Sequence, residues 1–196
     1  MGPEDKLASL REAALLDIDK LDDETLLGKD LDALAEKMAL SRYLEAPQLR
    51  RAVITPPRAV RRGEPGGPGR EHDLVIRPAT AVELWLLVDG FDTLVLLADG
   101  DRLDLGEADL DAENQCLSVS YSAEHPAAEA ANAYFQACLD DVQRRLDELR
   151  QQIDSFNEGL RSALAEALGA ARSRAKERRT FAAALVVPQP TEISVV

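Results

Sequence analysis

The chain contains a long helical run with a sustained apolar stripe, from about Pro126 to Ala184. Apolar residues follow one another at alternating spacings of 4 and 3, the heptad pattern of a helix that packs along its length against another helix. Polar residues such as Arg144 and Glu148 occupy the other faces. The stripe therefore predicts a partner helix, from this chain or from another. Its positions are Phe135, Leu139, Val142, Leu146, Leu149, Ile153, Phe156, Leu160, Ala163 and Ala167.

The segment Asp154–Leu160 decides between these two sources of a partner. Asn157 is a good N-cap, and Gly159 costs about 1 kcal/mol relative to Ala inside a helix. We therefore expect a break here and an antiparallel helical hairpin. The alternative is one unbroken helix of roughly 50 to 60 residues, about 75 to 90 Å long, which would dimerise to bury its stripe. The heptad phase continues through Gly159, so both arrangements stay open.

The remaining pattern predicts an α+β fold in four segments: N-terminal helices over 1–47, a β-rich segment over 48–124, the helical hairpin over 125–185 and a tail over 186–196. We expect two N-terminal helices, the second capped by Asp22 or Asp23 and stopped by Pro47. A small antiparallel meander of three to five strands should pack on the helices. Its predicted strands are Gln48–Ile54, Leu74–Ile76, Val82–Val88, Leu94–Ala98 and Cys116–Tyr121, with hairpin turns at Asp89-Gly90 and Asp99-Gly100.

A Gly/Pro/Arg-rich stretch interrupts the β-rich segment at 55–70. It alternates prolines and glycines with Arg58, Arg61, Arg62 and Arg70, a composition that predicts a flexible basic loop. The glycines do not form a phosphate-binding loop, because no GK[ST] follows them.

The net charge of −13 excludes broad nucleic-acid binding, because most of the surface would repel a phosphate backbone. The excess is concentrated in residues 81–141, where one arginine stands against fourteen carboxylates. No 18-residue apolar run is present and the first residues are acidic, so we expect a cytoplasmic protein without a membrane segment. Cys116 and Cys138 are predicted to be buried free thiols.

No pattern of catalytic residues is recognisable. The acidic run from Asp99 to Glu113 lacks the spacing of a calcium loop, and no lysine lies near it for magnesium-dependent nuclease chemistry. His72 and His125 lie in no nucleophile–base context and are predicted to be surface residues. We therefore expect no enzyme, no metal and no cofactor. An enzyme of unrecognised type would use the acidic run and His125.

The helical run ends in a dense basic cluster that would be the local site for nucleic acid or for an acidic partner. Stabilisation of a helix C-terminus by cations is the alternative explanation. The cluster consists of Arg172, Arg174, Lys176, Arg178 and Arg179.

Three segments of the chain share a resemblance: Leu31–Lys37 leading to Pro47, Val82–Gly90, and Asp154–Leu160 followed by an Arg-rich helix. Together they resemble a family of bacterial restriction-endonuclease-like proteins. In that family a helix–strand–helical-hairpin region precedes a C-terminal PD-(D/E)xK nuclease domain. This chain has Leu185–Pro188 where the family usually has Leu-Gly and a proline, and it ends at Val196. The resemblance implies an accessory region without its nuclease, and it transfers no functional residue.

These observations predict a non-enzymatic protein-interaction or oligomerisation subunit of a bacterial defence or restriction-type system. Its partner would be a separately encoded effector, such as a nuclease or a protease, or a second copy of the chain. The stripe residues from Phe135 to Leu160 are the predicted partner-binding residues. A nucleic-acid-sensing accessory subunit that uses the basic helix end is the main alternative.

Overall fold

A computed structural model describes residues 2–65, 74–98 and 103–185. The chain divides into two compact units, each made of two stretches of sequence. The first, here called the sheet unit, comprises Met1–Ala8 and Leu44–Phe156. The second, the helical unit, comprises Ser9–Tyr43 and Asn157–Val196.

The sheet unit is built on an antiparallel sheet, which confirms the α+β class. The strands are β1 (Gln48–Ile54), β2 (Arg58–Pro65), β3 (Leu74–Asp89), β4 (Asp109–Asp111) and β5 (Cys116–Ala123). Their order is β1-β3-β5-β4, and β2 also pairs with β3. A simple meander would pair each strand only with its neighbours in sequence, whereas β3 is central and pairs with three others.

The strands β1 and β2 follow one another along the same edge of β3. Gln48–Ile54 pairs with Leu84–Asp89, and Arg58–Pro65 pairs with Leu74–Ala81. Pro56 and Pro57 separate them, because proline cannot donate a ladder hydrogen bond. The side chain of Thr55 bridges the gap by accepting a hydrogen bond from the Glu83 amide at 3.1 Å.

The predicted flexible loop at 55–70 is therefore wrong over β2. A partner strand outweighed the unfavourable local composition, since strand stability depends mainly on cross-strand packing and pairing. Residues 66–70 lie outside the described residues. Prolines and arginines on this edge also disfavour pairing with a strand of another chain.

The strand β3 also differs from its prediction, because it is continuous where two separate strands were expected. Pro78 is tolerated because β5 pairs only from Thr80 onwards, so that among the described residues one side of Pro78 has no strand partner. Leu84, Leu86 and Val88 alternate along one face and are buried. They form the core of the sheet unit with Leu117 and Val119 on β5.

The predicted strand Leu94–Ala98 is a helix, α4 (Phe91–Leu97). The predicted hairpin turn at Asp89-Gly90 is the start of this helix, where Gly90 adopts φ +72°. Leu94 and Leu97 are buried and lie three residues apart, on one face of the helix. Periodicity does not distinguish a helix from a strand in so short an apolar run, and packing selects the helix here. Asp99-Gly100 lies outside the described residues.

The helical unit contains more N-terminal elements than the two predicted helices. These are α1 (Pro3–Leu16), which begins in the sheet unit, a 3-10 turn at Ile18–Lys20, α2 (Asp23–Gly28) and α3 (Leu31–Leu40). Asp22 caps α2 by accepting a hydrogen bond from the Thr25 amide at 2.6 Å, as predicted. Asp30 caps α3 through the Asp32 amide at 2.9 Å.

The last helix, α5 (Ala128–Ala184), is one element of 57 residues, so the predicted hairpin is wrong. It contributes residues to both units and does not break at Asn157 or Gly159. Leu160 and Leu164 beyond the glycine are 1% and 0% exposed. Burial of these side chains outweighs the roughly 1 kcal/mol cost of one glycine.

The buried face of α5 repeats at about 3.6 residues rather than at the 3.5 of a heptad. It covers 40 residues in eleven intervals between successive buried side chains, with half-buried Phe156 counted among them. Cys138, Leu164 and Leu168 replace Leu139, Ala163 and Ala167 of the predicted stripe, which are only half-buried. A straight face of this period suits packing against the chain's own helices and sheet, without a supercoil.

Side-chain pairs one turn apart support the exposed face of α5. Arg144 donates to Glu148 at 2.6 Å, Arg145 donates to Asp141 at 2.8 Å, and Gln143 donates to Asp147 at 3.0 Å. Each such pair contributes about 0.2–0.5 kcal/mol in an isolated helix.

We expect Gly159→Ala to stabilise the protein by roughly 0.5–1 kcal/mol, because Gly159 lies inside a helix. An added Cβ would meet only the Arg11 guanidinium, at 3.9 Å. Gly90→Ala is the matched contrast, since its Cβ would lie 2.8 Å from the Glu45 carbonyl oxygen. It should cost more than about 1 kcal/mol. Urea unfolding followed by far-UV circular dichroism measures both; a destabilising Gly159→Ala would instead indicate a turn at this glycine.

Candidate interaction surface

The predicted partner-binding stripe lies in the interior of the chain. Leu146 and Ile153 are 0% exposed, and Leu139 and Phe156 are half-buried. The rings of Tyr134 and Phe135 contact Tyr121 of β5, with centroids 5.6 and 6.2 Å apart. A partner could reach the stripe only by displacing this packing. The other buried stripe residues are Val142, Leu149 and Leu160.

The basic helix end is largely occupied by contacts within the helical unit. Arg172 donates from Nε to the Leu26 carbonyl at 2.6 Å and from Nη2 to the Lys29 carbonyl. It thereby satisfies backbone acceptors at the C-terminus of α2, where a helix leaves carbonyls without partners. Within the described residues Lys176 and Arg179 have no such contact, and nucleic-acid binding by this end stays a prediction.

Two further arginines of this cluster form ion pairs. Arg174 lies 3.5 Å from Asp19, and Arg178 contacts both carboxylate oxygens of Asp23. The hydrogen bond from Arg178 holds the pKa of Asp23 below its ordinary 3.8, and the same pair raises the pKa of Arg178.

Two residues of the acidic run, Asp104 and Asp111, make structural contacts. Asp104 pairs with Arg145 at 2.6 Å, and this hydrogen bond lowers the pKa of Asp104. Asp111 accepts hydrogen bonds from the backbone and side chain of Asn114. No group of His, Cys, Asp and Glu among the described residues could hold a metal ion. Asp99 and Asp101 lie outside these residues.

The nucleophilic and histidine side chains form no cluster in the described part of the chain. His125 is exposed, and His72 lies outside the described residues. Cys116 and Cys138 are free and buried, as predicted. Burial raises the pKa of the Cys116 thiol, so it is a poor nucleophile. Burial and a hydrogen bond to Cys138 raise the pKa of Tyr134 to about 12.

The structure adds a surface that the sequence did not indicate, an apolar groove in the helical unit. Leu40 at the end of α3 is 67% exposed, and Tyr43 in the following turn is 61% exposed. They line a groove of about 280 Å³ with Ala39. We call this surface the Leu40–Tyr43 groove. Its rim consists of Glu36, Asn157, Glu158 and Arg161.

The end of α3 explains how these two side chains become exposed. Ala35 is the fully buried residue of the helix, and Leu40 lies outside the face that it defines. The helix then tightens, as the Arg42 amide donates to Ala39 and the Tyr43 amide to Leu40. Leu44, the next residue along the chain, is buried instead. The sequence contains one signal for this surface, an apolar residue outside the buried face of α3. This signal becomes interpretable only when the residue at which the helix ends is known.

The helical unit is also nearly neutral, although the chain is strongly acidic. Residues 9–43 and 157–185 carry eleven lysines and arginines against twelve aspartates and glutamates, a net charge of −1. Residues 1–8 and 44–156 carry twelve against twenty-three, a net charge of −11. Electrostatic repulsion of an approaching protein is therefore weakest on the helical unit.

No family model matches this chain, and no curated protein or solved structure is significantly similar to it. None of the helices in the described part of the chain is long and apolar enough to cross a membrane.

We expect Arg172→Ala to lower the stability of the helical unit by about 1.5–3 kcal/mol, the usual contribution of hydrogen bonds to a charged group. Arg179→Ala is the matched control, since this exposed side chain has no partner among the described residues, and it should change stability by less than about 0.5 kcal/mol. Urea unfolding compares the two. Equal effects would contradict the capping role of Arg172.

We expect the Asp23–Arg178 pair to stabilise the protein at neutral pH and to lose this effect in acid. The folded-state pKa of Asp23 is lowered, so its contribution is present above pH 3.8 and disappears as the pH falls through the folded pKa. The unfolding midpoint of Asp23→Asn should therefore lie below that of the native protein at pH 7 and approach it in acid. Glu24→Gln, which removes a neighbouring carboxylate without an ion pair among the described residues, is the control. A difference that does not vary with pH would exclude the ion pair as its cause.

Proposed function

We propose that this protein is a non-enzymatic interaction subunit that binds another protein chain through the Leu40–Tyr43 groove. One observation carries the proposal: two large apolar side chains, each more than half exposed, lie side by side on a nearly neutral unit of an acidic protein. Contiguous exposed apolar side chains with a polar rim are typical of protein-binding sites.

The groove has the residue types that contribute most to protein association. Burying a Leu or aromatic side chain contributes about 1.5–3 kcal/mol, and Tyr is enriched among the residues that dominate interface energies. Glu36 and Arg161, 3.5 Å apart at the rim, would exclude water from the apolar centre without contributing much themselves.

A protein partner fits the groove better than a small molecule does. Its volume of about 280 Å³ lies at the lower end of the usual range of ligand pockets, about 300–1,000 Å³. It therefore suits the insertion of a few side chains from another chain.

The proposal replaces the predicted binding residues of α5 but keeps the predicted class of function. A role in a bacterial defence or restriction-type system, with a nuclease or protease as effector, rests on the sequence resemblance alone and stays a prediction.

The proposal is tested by affinity purification of the tagged protein from its own host, in native form and as Leu40→Glu or Tyr43→Glu. Both replacements put a charge into the groove. The native protein should retain a partner chain in fixed stoichiometry, and the recovered amount of that chain should fall at least tenfold with either variant. Phe181→Glu is the matched control, because Phe181 is 68% exposed in the same unit and does not line the groove.

Unchanged urea unfolding of each variant would show that folding is intact. Equal recovery of the same chain with Tyr43→Glu and with the native protein would exclude the groove as the binding site.

A further inference from the structure

We infer that the Leu40–Tyr43 groove binds a short basic segment of a partner protein, with apolar side chains in the groove and lysines or arginines against its rim. This inference rests on the proposed function and specifies the chemistry of the partner. The charges at the rim select this partner, because an incoming segment meets them once its apolar side chains lie in the groove.

The rim carries one more negative charge than positive charge. Glu36 and Glu158 are its two carboxylates, and Arg161 is its guanidinium. Arg161 already contacts Glu36, with Nη2 and Oε2 3.5 Å apart, and both side chains are more than half exposed. Glu158 is exposed and has no partner among the described residues. The rim therefore offers an incoming chain an uncompensated carboxylate.

An acidic segment would find no matching charge at this rim. Among the described residues that line the groove Arg161 is the only cation, and a partner carboxylate would have to separate it from Glu36. Glu158 would then face a like charge, which disfavours binding. A lysine or arginine of the partner instead pairs with Glu158 and leaves the contact between Glu36 and Arg161 intact. The rim therefore favours a cationic segment over an acidic one.

The groove has the dimensions of a site for a short segment. Four lining residues lie along α3 and the turn after it, from Glu36 to Tyr43, and three lie along α5, from Asn157 to Arg161. The α3 side spans about two helical turns, roughly 10 Å. This length matches one face of a short amphipathic helix, whose apolar side chains recur three and four residues apart.

The net charge of the protein adds attraction at longer distance. The chain carries −13, and a surface of this sign attracts cationic segments and raises their association rate. Salt screens this attraction, since the Debye length is about 10 Å at 0.1 M and about 3 Å at 1 M. Replacement of a carboxylate elsewhere on the surface changes the net charge by the same amount as replacement of Glu158. The effects of the rim and of the net charge can therefore be separated by experiment.

Fluorescence anisotropy with two labelled peptides of about 15 residues, long enough to form a helix, tests the inference. One peptide has leucines on one face and lysines on the other, and the second has glutamates in place of the lysines. We expect the lysine peptide to bind with a dissociation constant of about 10–100 μM, and more weakly at about 0.5 M than at about 0.05 M salt. The glutamate peptide should not bind. Leu40→Ala and Tyr43→Ala should each weaken binding about tenfold, whereas Phe181→Ala, at an exposed residue outside the groove, should not.

Charge variants of α5 separate the rim from the net charge. Glu158→Gln should weaken binding of the lysine peptide about two- to fivefold, the effect of one exposed ion pair. Glu166→Gln is the matched control, because Glu166 is exposed on the same helix, about 12 Å along its axis, and does not line the groove. Arg161→Gln should strengthen binding, since it frees Glu36 from its partner. Equal effects of Glu158→Gln and Glu166→Gln would show that only the net charge attracts the peptide, and would overturn the inference.

The inference and the proposed function fail in different ways. The inference is overturned if the lysine peptide does not bind, keeps its affinity in both Leu40→Ala and Tyr43→Ala, or binds no more tightly than the glutamate peptide. A second copy of the protein in the groove, as a dimer that Tyr43→Glu dissociates, would also overturn it. In each case the proposed function stands if a chain recovered with the native protein is lost with Tyr43→Glu. A native protein that retains no chain through the groove would refute both.

Discussion

Burial of one face of α5 is the interaction on which both units depend. The side chains from Phe135 to Ala175 recur at about 3.6 residues and remain buried on both sides of Gly159. In the sheet unit this face belongs to the core that contains Tyr121, and in the helical unit it accompanies α1, α2 and α3. Because each turn of the helix gains burial, the local preference for a break at Gly159 is overridden.

Arginine side chains of α5 complete the helical unit through contacts with the backbone and with acids. Arg172 donates to the backbone carbonyls of Leu26 and Lys29, and Arg174 and Arg178 face aspartates. A cluster that appears in sequence as a basic patch thereby serves mainly to join α5 to the short N-terminal elements. Its charge is largely compensated locally, which is why the helical unit is close to neutral.

The Leu40–Tyr43 groove is an apolar surface that the packing of the helical unit leaves exposed. Single exposed apolar side chains are normal on a protein surface. Leu40 and Tyr43 differ because the end of α3 places them together beside α5.

The sequence by itself determined the α+β class, the helical span of α5, the Asp22 cap, β1, β5 and the buried cysteines, because these depend on local periodicity and capping. Tertiary structure decided that α5 continues through Gly159, that Arg58–Pro65 is a strand and that Phe91–Leu97 is a helix, because long-range burial and pairing outweighed local preference there. It alone decided which side chains are left exposed. Leu40 and Leu146 are the same residue type in helical sequence, and only packing makes one 67% exposed and the other 0%.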